Sequence, residues 1–519
     1  MVLLLKKNTT VLGSALAVML VVLSSKFLGF LRQIIIASTY GAKLETDIYF
    51  LSNDFMVGVT GALTTALTTV FVTMYIESSI KKSREETNEL ASKMLTVFLL
   101  AGVVIVISVF ALSPVIAKIL APAYKGRAME TLILYLRVFS FAFIFTAFQS
   151  IYTAILNANN SFAPGKLFGI FYNPISILAV VFFSKFFGVK TLIGAYFIAN
   201  IIFTLVLKTM CRKLFKFRIS FALKDESIKK LTILTGPLLL SNILIPLNNI
   251  ADKSICSLLG EGVTSNYSYA FTLEQFITAT LTATVGMILL SKFATYVSEG
   301  NTKMVIDTFK TAISTMIIIL AYICAIACAE AKDIVSLVYF RGEFTASDVA
   351  HTSAALIGFS LGFALVAVRE MYIRLHFSYQ NTTLPMLANG SALVVNILLS
   401  LAFSRIIGVM GITLGTSLSV LTTVCILNKS VKKYIPEFRF RDMGKMCAKI
   451  LAASVLTYIS VKAFSNLLAI NLVVKFALCS VLGFAVYTAA LLALRCKELK
   501  EVVTSTVKSV KGRSLSAEN

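Results

Sequence analysis

Lys26, Arg32, Asp47 and Asp54 stand inside two long apolar stretches near the start of the chain, and Asn248, Asn249, Asp252 and Lys253 stand inside a third. A lone charge at mid-bilayer costs roughly 2.5–3.5 kcal/mol even on a lenient scale, so such residues face a wet cavity or a partner. Lys26 and Arg32 lie about 9 Å apart along a helix and about 120° around it, which lets them line two walls of one cavity. Arg32 can instead snorkel to an interface. Asp47 and Asp54 stack on one helical face. Asp47, near the helix end, also suits a cap, and Asp54, deeper, can neutralise Lys26. In the third stretch Pro246 frees backbone carbonyls. With Asn248, Asn249 and Asp252 these form an oxygen cage for a hard cation such as Na⁺; the other reading pairs Asp252 and Lys253 with neighbouring helices. A further stretch carries Arg369, Glu370, Arg374 and His376. Glu370 and Arg374 are spaced to pair, and His376 suits either a proton relay or a solvated helix end. The sequence has no Ser/His/Asp set, phosphate loop, HExxH or metal-spaced cysteines, so an enzyme has no chemistry to stand on.

The elements that position these residues are membrane spans. Of 519 residues, 57% are hydrophobic and only 14% charged, against about 25% charged in soluble domains. The chain reads as an all-α polytopic membrane protein. Its formal charge of +23 sits mainly in short loops between apolar runs, which points to anionic lipid headgroups and the positive-inside bias rather than nucleic acid. The eight cysteines lie mostly in apolar spans without CxxC spacing; Cys324 and Cys328 are one helical turn apart. They read as packing residues, with no disulfide or metal framework. Lys6 and Lys7 precede an apolar run with no small-residue cleavage site, so an uncleaved first span is expected. With no Trp, Tyr and Phe must supply any interfacial belt.

About 14 stretches are long and apolar enough to span a bilayer. Basic residues gather in the loops after even-numbered spans, which places both termini in the cytoplasm. Two regions about 220 residues apart read alike, as expected of a transporter built from two similar bundles. Asn160-Ser161-Phe162-Ala163-Pro164, Ser184-Lys185-Phe186-Phe187-Gly188-Val189 and Cys211-Arg212-Lys213 match Asn381-Thr382-Thr383-Leu384-Pro385, Ser404-Arg405-Ile406-Ile407-Gly408-Val409 and Lys432-Lys433. Tyr124-Lys125-Gly126 echoes Phe340-Arg341-Gly342. The expected organisation is two pseudo-symmetric six-helix bundles, 1–215 and 231–435, in the same orientation. A basic cytoplasmic linker, 216–230, joins them. Two further transmembrane helices, 436–497, and a basic cytoplasmic tail, 498–519, follow.

Ser25-Lys26-Phe27-Leu28-Gly29-Phe30-Leu31-Arg32, then Tyr40-Gly41-Ala42 and Thr46-Asp47, resembles the first-span signature of the MurJ (MviN) family of lipid II flippases, S-R-x-L-G-F-x-R-[DE], F-G-A and T-D-A-F. Gly236-Pro237 with Asp252-Lys253 adds to it, as does Arg341-Gly342-Glu343-Phe344-Thr345, which resembles the family's G-x-F-T. Phe377-Ser378-Tyr379-Gln380-Asn381 ending at Pro385 resembles F-Y-[AS]-x-x-D-x-x-T-P. The resemblance covers nearly the whole chain. It implies a MOP-superfamily fold, with two six-helix bundles around a cavity and two terminal helices forming a lipid groove. It also implies translocation of lipid-linked peptidoglycan precursor by alternating access. Lys26 and Arg32 stand where the family has two cavity arginines, and would hold the precursor's pyrophosphate. The chain departs from the pattern elsewhere. The span-2 arginine pair falls at Phe55 and Met56, the span-8 arginine at Thr272 and the acid of D-x-x-T-P at Asn381. Lysine at Lys26 also replaces a bidentate fork with a point charge. The cavity is therefore expected to be less cationic than is usual.

The expected function is that of a lipid II flippase in the bacterial cytoplasmic (inner) membrane, acting as a monomer. Lys26, Arg32, Asp47 and Asp54 are the expected cargo residues; Asp252, Asn248, Asn249 and Asn381 are the expected cation-coupling residues. No cofactor is expected, with Na⁺ or the membrane potential as the driving force. The rival readings are a flippase for another polyprenyl-pyrophosphate glycan, of capsule or O-antigen type, and a cation-coupled MATE-type drug exporter. Dye efflux under a Na⁺ or H⁺ gradient would mark the exporter.

Overall fold

The computed structural model describes residues 11–220 and 225–499. The tail cations Lys500, Lys508, Lys511 and Arg513, like Lys6, Lys7 and Lys224, lie outside the described residues. Among those described, the only regular secondary structure is helix.

The chain packs into two compact units, Met1–Ser268 with Arg341–Phe344, and Tyr269–Phe340 with Thr345–Asn519. The first holds α1 (Val11–Tyr40), α2 (Leu44–Lys81), α3 (Arg84–Leu120), α4 (Arg127–Ser140), α5 (Ala142–Ala158), α6 (Phe168–Phe187), α7 (Lys190–Cys211) and α8 (Glu226–Cys256). α9 (Val263–Ser298) begins in the first unit and continues into the second. There follow α10 (Thr302–Ala329), α11 (Ala331–Tyr339), α12 (Ala346–Ser360), α13 (Phe363–Ser378), α14 (Thr383–Ile407), α15 (Val409–Val431), α16 (Gly444–Leu467) and α17 (Leu472–Ala493). The sequence repeat groups α8 with the second bundle, whereas by packing it belongs to the first unit, against α2. One division follows resemblance and the other follows contact.

Eleven described segments are long and apolar enough to cross a bilayer, and two bent pairs raise this to 13. The bent pairs are Glu226–Leu244 with Pro246–Cys256, at 42°, and Ala346–Ser360 with Phe363–Ser378, at 44°. The remaining expected span coincides with α9. Large apolar side chains point outward, as a lipid-facing surface requires; Phe186 and Ile406 are each 78% exposed.

The repeat is legible in the backbone. Asn160 (φ 60°) and Gln380 (φ 58°) both hold the left-handed conformation after a helix. The same bonds close both turns: Ser161 N–H donates to Leu156 O at 2.9 Å, and Asn381 N–H to His376 O at 3.0 Å. These are the six-to-one bonds that end a helix. Gly188 (φ 55°) and Gly408 (φ 60°) then turn the chain between α6 and α7 and between α14 and α15. The turn pairs Asn160 with Gln380, not with Asn381 as the sequence alignment had it. The register slips by one before the prolines, because Pro164 opens a separate 3₁₀ turn (Pro164–Lys166) while Pro385 lies inside α14. Both halves also break a span at matching points, Phe141 and Leu361–Gly362.

In the second unit α14 and α15 approach so closely that a Cβ on Gly415 would press on Ser400, and one on Gly411 on the Phe403 backbone. Small residues at such crossings bring backbones together where no hydrophobic force drives association. In the first unit, residues 216–220 of the expected linker run extended along α3. Asn88 exchanges two 2.9 Å hydrogen bonds with the Lys216 backbone, and Ser92 and Thr96 accept from Arg218 N–H and Ser220 N–H at 3.3 Å. These three side chains are one helical turn apart, matching every second residue of the extended segment.

Candidate functional site

α1 lies on α6 through small residues, with Gly29 against Asn173 and Gly169 against Ser25. The Asn173 amide donates to Ser25 O at 2.9 Å. This packing places the Arg32 guanidinium over the Tyr172 ring, 4.5 Å from its centroid. The Tyr172 hydroxyl meets that of Tyr49 on α2 at 3.0 Å, so the ring is held from two sides. Arg32 Nε is buried without a hydrogen-bond partner, and no carboxylate among the described residues pairs with the guanidinium. Lys26 lies farther back along α1, half-buried. Cation–π contacts of this kind contribute about 0.5–2 kcal/mol, which orients the side chain without neutralising it.

Asp47 is buried and fully engaged, which removes it from the expected cargo set. Its carboxylate accepts from Gly262 N–H and Ser265 N–H, both at 2.7 Å, and from the Ser265 hydroxyl at 2.5 Å. It caps α9, whereas the sequence suggested its own helix. The same corner gathers the signature glycines. Glu343 N–H donates to Ser38 O at 2.9 Å, and Lys43 pairs with Glu343 at 2.6 Å. The Lys43 ammonium holds the exposed Glu343 carboxyl below the usual range. Gly342 has φ +60°, and a Cβ there would overlap Ser38 O. Gly342→Ala is therefore expected to destabilise the protein by about 1–3 kcal/mol from backbone strain, with the overlap adding to it. Thermal unfolding of the purified protein measures this, and an unchanged midpoint would contradict the packing described.

Asp54 does not serve Lys26 as the sequence suggested. It forms an ion pair with Lys253 on α8, and Asn53 donates to its other oxygen at 2.8 Å. The Lys253 side chain is 2% exposed and lies 5.4 Å from the Phe50 ring centroid. Its neighbour Asp252, also buried, accepts from the Tyr267 hydroxyl at 3.0 Å. The reading that pairs Asp252 and Lys253 with neighbouring helices is thus realised for both residues. Asn249 Oδ1 is buried with no partner, and Asn248 lies one residue earlier on α8.

Asn381 is in the second unit, at the turn before α14. Its amide donates to the Tyr434 hydroxyl at 2.8 Å and its oxygen accepts from Leu384 N–H at 3.1 Å. One polar atom closes the turn and the other ties it to Tyr434, 53 positions on, and neither joins Asp252, which lies in the first unit. Glu370 pairs with Arg369 at 3.0 Å rather than with Arg374. His376 is buried, with Nδ1 2.8 Å from Tyr372 O, so it is not a solvated helix end.

One turn beyond Asp54 a cleft of about 400 Å³ opens in the first unit, lined by Thr60, Thr64, Thr68, Gln149, Asn157 and Tyr196 among others. Its walls are mainly hydroxyls, amides and rings, with one cation, Lys166, in the lining. In the sequence, threonines in apolar spans look like spacers, and only their recurrence along α2 signals the cleft.

The family model described as lipid II flippase MurJ matches residues 36–483. The chain belongs to the MurJ family. A probable lipid II flippase MurJ from Bdellovibrio bacteriovorus is 25% identical over 385 residues, covering 73% of each chain. Another, from Vibrio cholerae serotype O1, is 23% identical over 435 residues, covering 81% of this chain and 82% of its own. Among solved structures, lipid II flippase MurJ in an inward closed conformation superposes with a TM-score of 0.79 at 22% identity, covering 91% of this chain and 97% of that one. An inward-facing multidrug MATE transporter of the MOP superfamily gives a TM-score of 0.68 at 15% identity, over 81% and 98%. The MurJ fold is therefore shared with drug exporters, and residues must decide the cargo. Here Met56 is buried and apolar, at a position where the MurJ resemblance expects an arginine.

Proposed function

We propose that the chain moves lipid II, the lipid-linked peptidoglycan precursor, from the inner to the outer leaflet of the bacterial cytoplasmic membrane by alternating access. It is a transporter, not an enzyme. The observation that carries the cargo assignment is Arg32, a cation inside a span that is oriented by a ring and paired with no carboxylate among the described residues. An anionic ligand supplies the missing partner, and a pyrophosphate matches the guanidinium fork. Lys26 adds a second positive charge on the same helix. The hydroxyl- and amide-lined cleft offers acceptors and donors for the sugar portion. Asn249 Oδ1 and the Asp252 carboxylate are oxygen donors of the kind a coupling Na⁺ takes. The basic loops suit anionic lipid headgroups and cytoplasmic termini, and α16 and α17 suit a groove for the lipid chain. The protein works as a monomer on this reading.

Depletion–complementation tests it. Expressed in cells losing their own lipid II flippase, the chain is expected to restore growth and the accessibility of lipid II at the outer leaflet. Normal expression without rescue would overturn the assignment; dye efflux in vesicles under a Na⁺ or H⁺ gradient would then favour a drug exporter.

A further inference from the structure

Glu330 stands at the bend between α10 and α11, and only 2% of it is exposed. Neither carboxylate oxygen has a hydrogen-bond partner. The two cations nearby are committed elsewhere. Lys475 on α17 pairs with Asp333 at 2.8 Å, and Lys462 on α16 donates to Ala329 O at 3.1 Å. Ser465 on α16 and Cys479 on α17 also face the carboxyl. Around it lie Ile326, Ala329, Val461 and Cys479, an apolar cluster joining α10, α16 and α17. Glu330 also precedes α11, yet its side chain makes no cap bond there, although free N–H groups at a helix start attract an ionised carboxylate. The side chain is directed into the apolar bend instead.

An unpaired carboxylate in such a place is too costly to stay charged, and it takes up a proton. A metal ion fits poorly. Two ammonium groups already supply positive charge, and no group of three His, Cys, Asp or Glu among the described residues could hold one. We infer that Glu330 is a proton-binding site, and that its protonation holds the terminal hairpin α16–α17 against the α10–α11 bend. Burial, with Asp333 beside it, pushes the carboxyl above its usual range; Ser465, without hydrogen-bonding geometry, and the Lys475 ammonium act in the opposite direction and do not reverse it. Deprotonation leaves a buried charge that only water or a displaced Lys475 can satisfy, and either loosens the hairpin. The site is independent of what the protein carries.

Infrared difference spectra of the full chain in lipid nanodiscs test the inference. A carboxylic-acid carbonyl band is expected to persist above the pH at which ordinary carboxylates ionise, and to vanish in Glu330→Gln. Stability has a definite sign. A carboxyl raised in the folded state contributes fully below its unfolded value, and that contribution is lost as pH rises through the folded value. Glu330→Gln is neutral throughout, so it should melt with the wild type at acid pH and above it at neutral pH. An unchanged band, or a variant that melts lower by the same amount at every pH, overturns the proposal. Should the variant not fold, Asp333→Asn keeps Glu330 while removing its negative neighbour and freeing Lys475. The band must then be lost at a lower pH, and no shift overturns the site.

Discussion

Arg32→Ala is expected to weaken cargo binding by about 10- to 100-fold, the worth of a charge-assisted hydrogen bond to an ionised group, and to abolish rescue of flippase-depleted cells. Arg32→Lys should not restore it, because a point charge replaces a fork and stacks less well on a ring. The folded protein should lose no more than the cation–π contact, about 0.5–2 kcal/mol, since no carboxylate among the described residues is left stranded. Tyr172 separates orientation from charge. Tyr172→Phe keeps the ring under the guanidinium and should retain most activity, whereas Tyr172→Leu removes the platform and should fall between wild type and Arg32→Ala. Lipid II accessibility at the outer leaflet, measured at matched expression, gives the ranking. Full rescue by Arg32→Ala would remove this residue from the site.

Asp54→Asn should be the most damaging single change to stability. It strands the Lys253 ammonium, whose side chain is 2% exposed, in the contact between α2 and α8, and an uncompensated buried charge costs on the order of 3–5 kcal/mol. Lys253→Met should cost less, because the Asp54 side chain it leaves is 28% exposed. Removing both charges is different. Lys253→Met combined with Asp54→Asn leaves an apolar side chain against Phe50 and a neutral amide beside Asn53, and most of the loss should be recovered. A double-mutant cycle on thermal or denaturant unfolding reads the coupling directly. If the two changes merely add, the ion pair is not what joins these helices.

The sequence marked which residues were costly but not what they met. Asp54 and Lys253 both stood out as charges within spans, yet they are 199 positions apart, and nothing local pairs them. Asp47 was legible as a cap because it stands in the first turn of α2; that it caps α9 depends on a tertiary corner. The repeat was visible because turns need particular backbone conformations, and Gly188 and Gly408 supply them. The one-residue slip before Pro164 and Pro385 was not visible, because both alignments place a proline near a helix start. The breaks at Phe141 and Leu361 carry no proline to announce them. Glu330 drew no notice because a carboxylate at the end of an apolar run is expected in water; only packing against α16 and α17 encloses it. Asn381 was named through its place in a motif, and that place is a turn held by Leu384 N–H and by Tyr434, a partner 53 positions away that no local pattern shows.

α8 is fastened at both ends. At its start, Asp225 caps the helix through Ser227 N–H at 2.9 Å and pairs with Lys93 of α3 at 3.0 Å, while the preceding segment is bonded to α3 up to Ser220. At its far end Lys253 is fixed to Asp54. Between them lies the 42° bend at Pro246, where Gly58 of α2 lets the ring come close. α8 holds two interior prolines, Pro237 and Pro246, and the bend lies at the second; a rod clamped at both ends flexes most where it is already bent. Mechanical compliance in this helix is therefore concentrated at Pro246. A change that stiffens that bend would slow any motion passing through α8 without touching a charged residue.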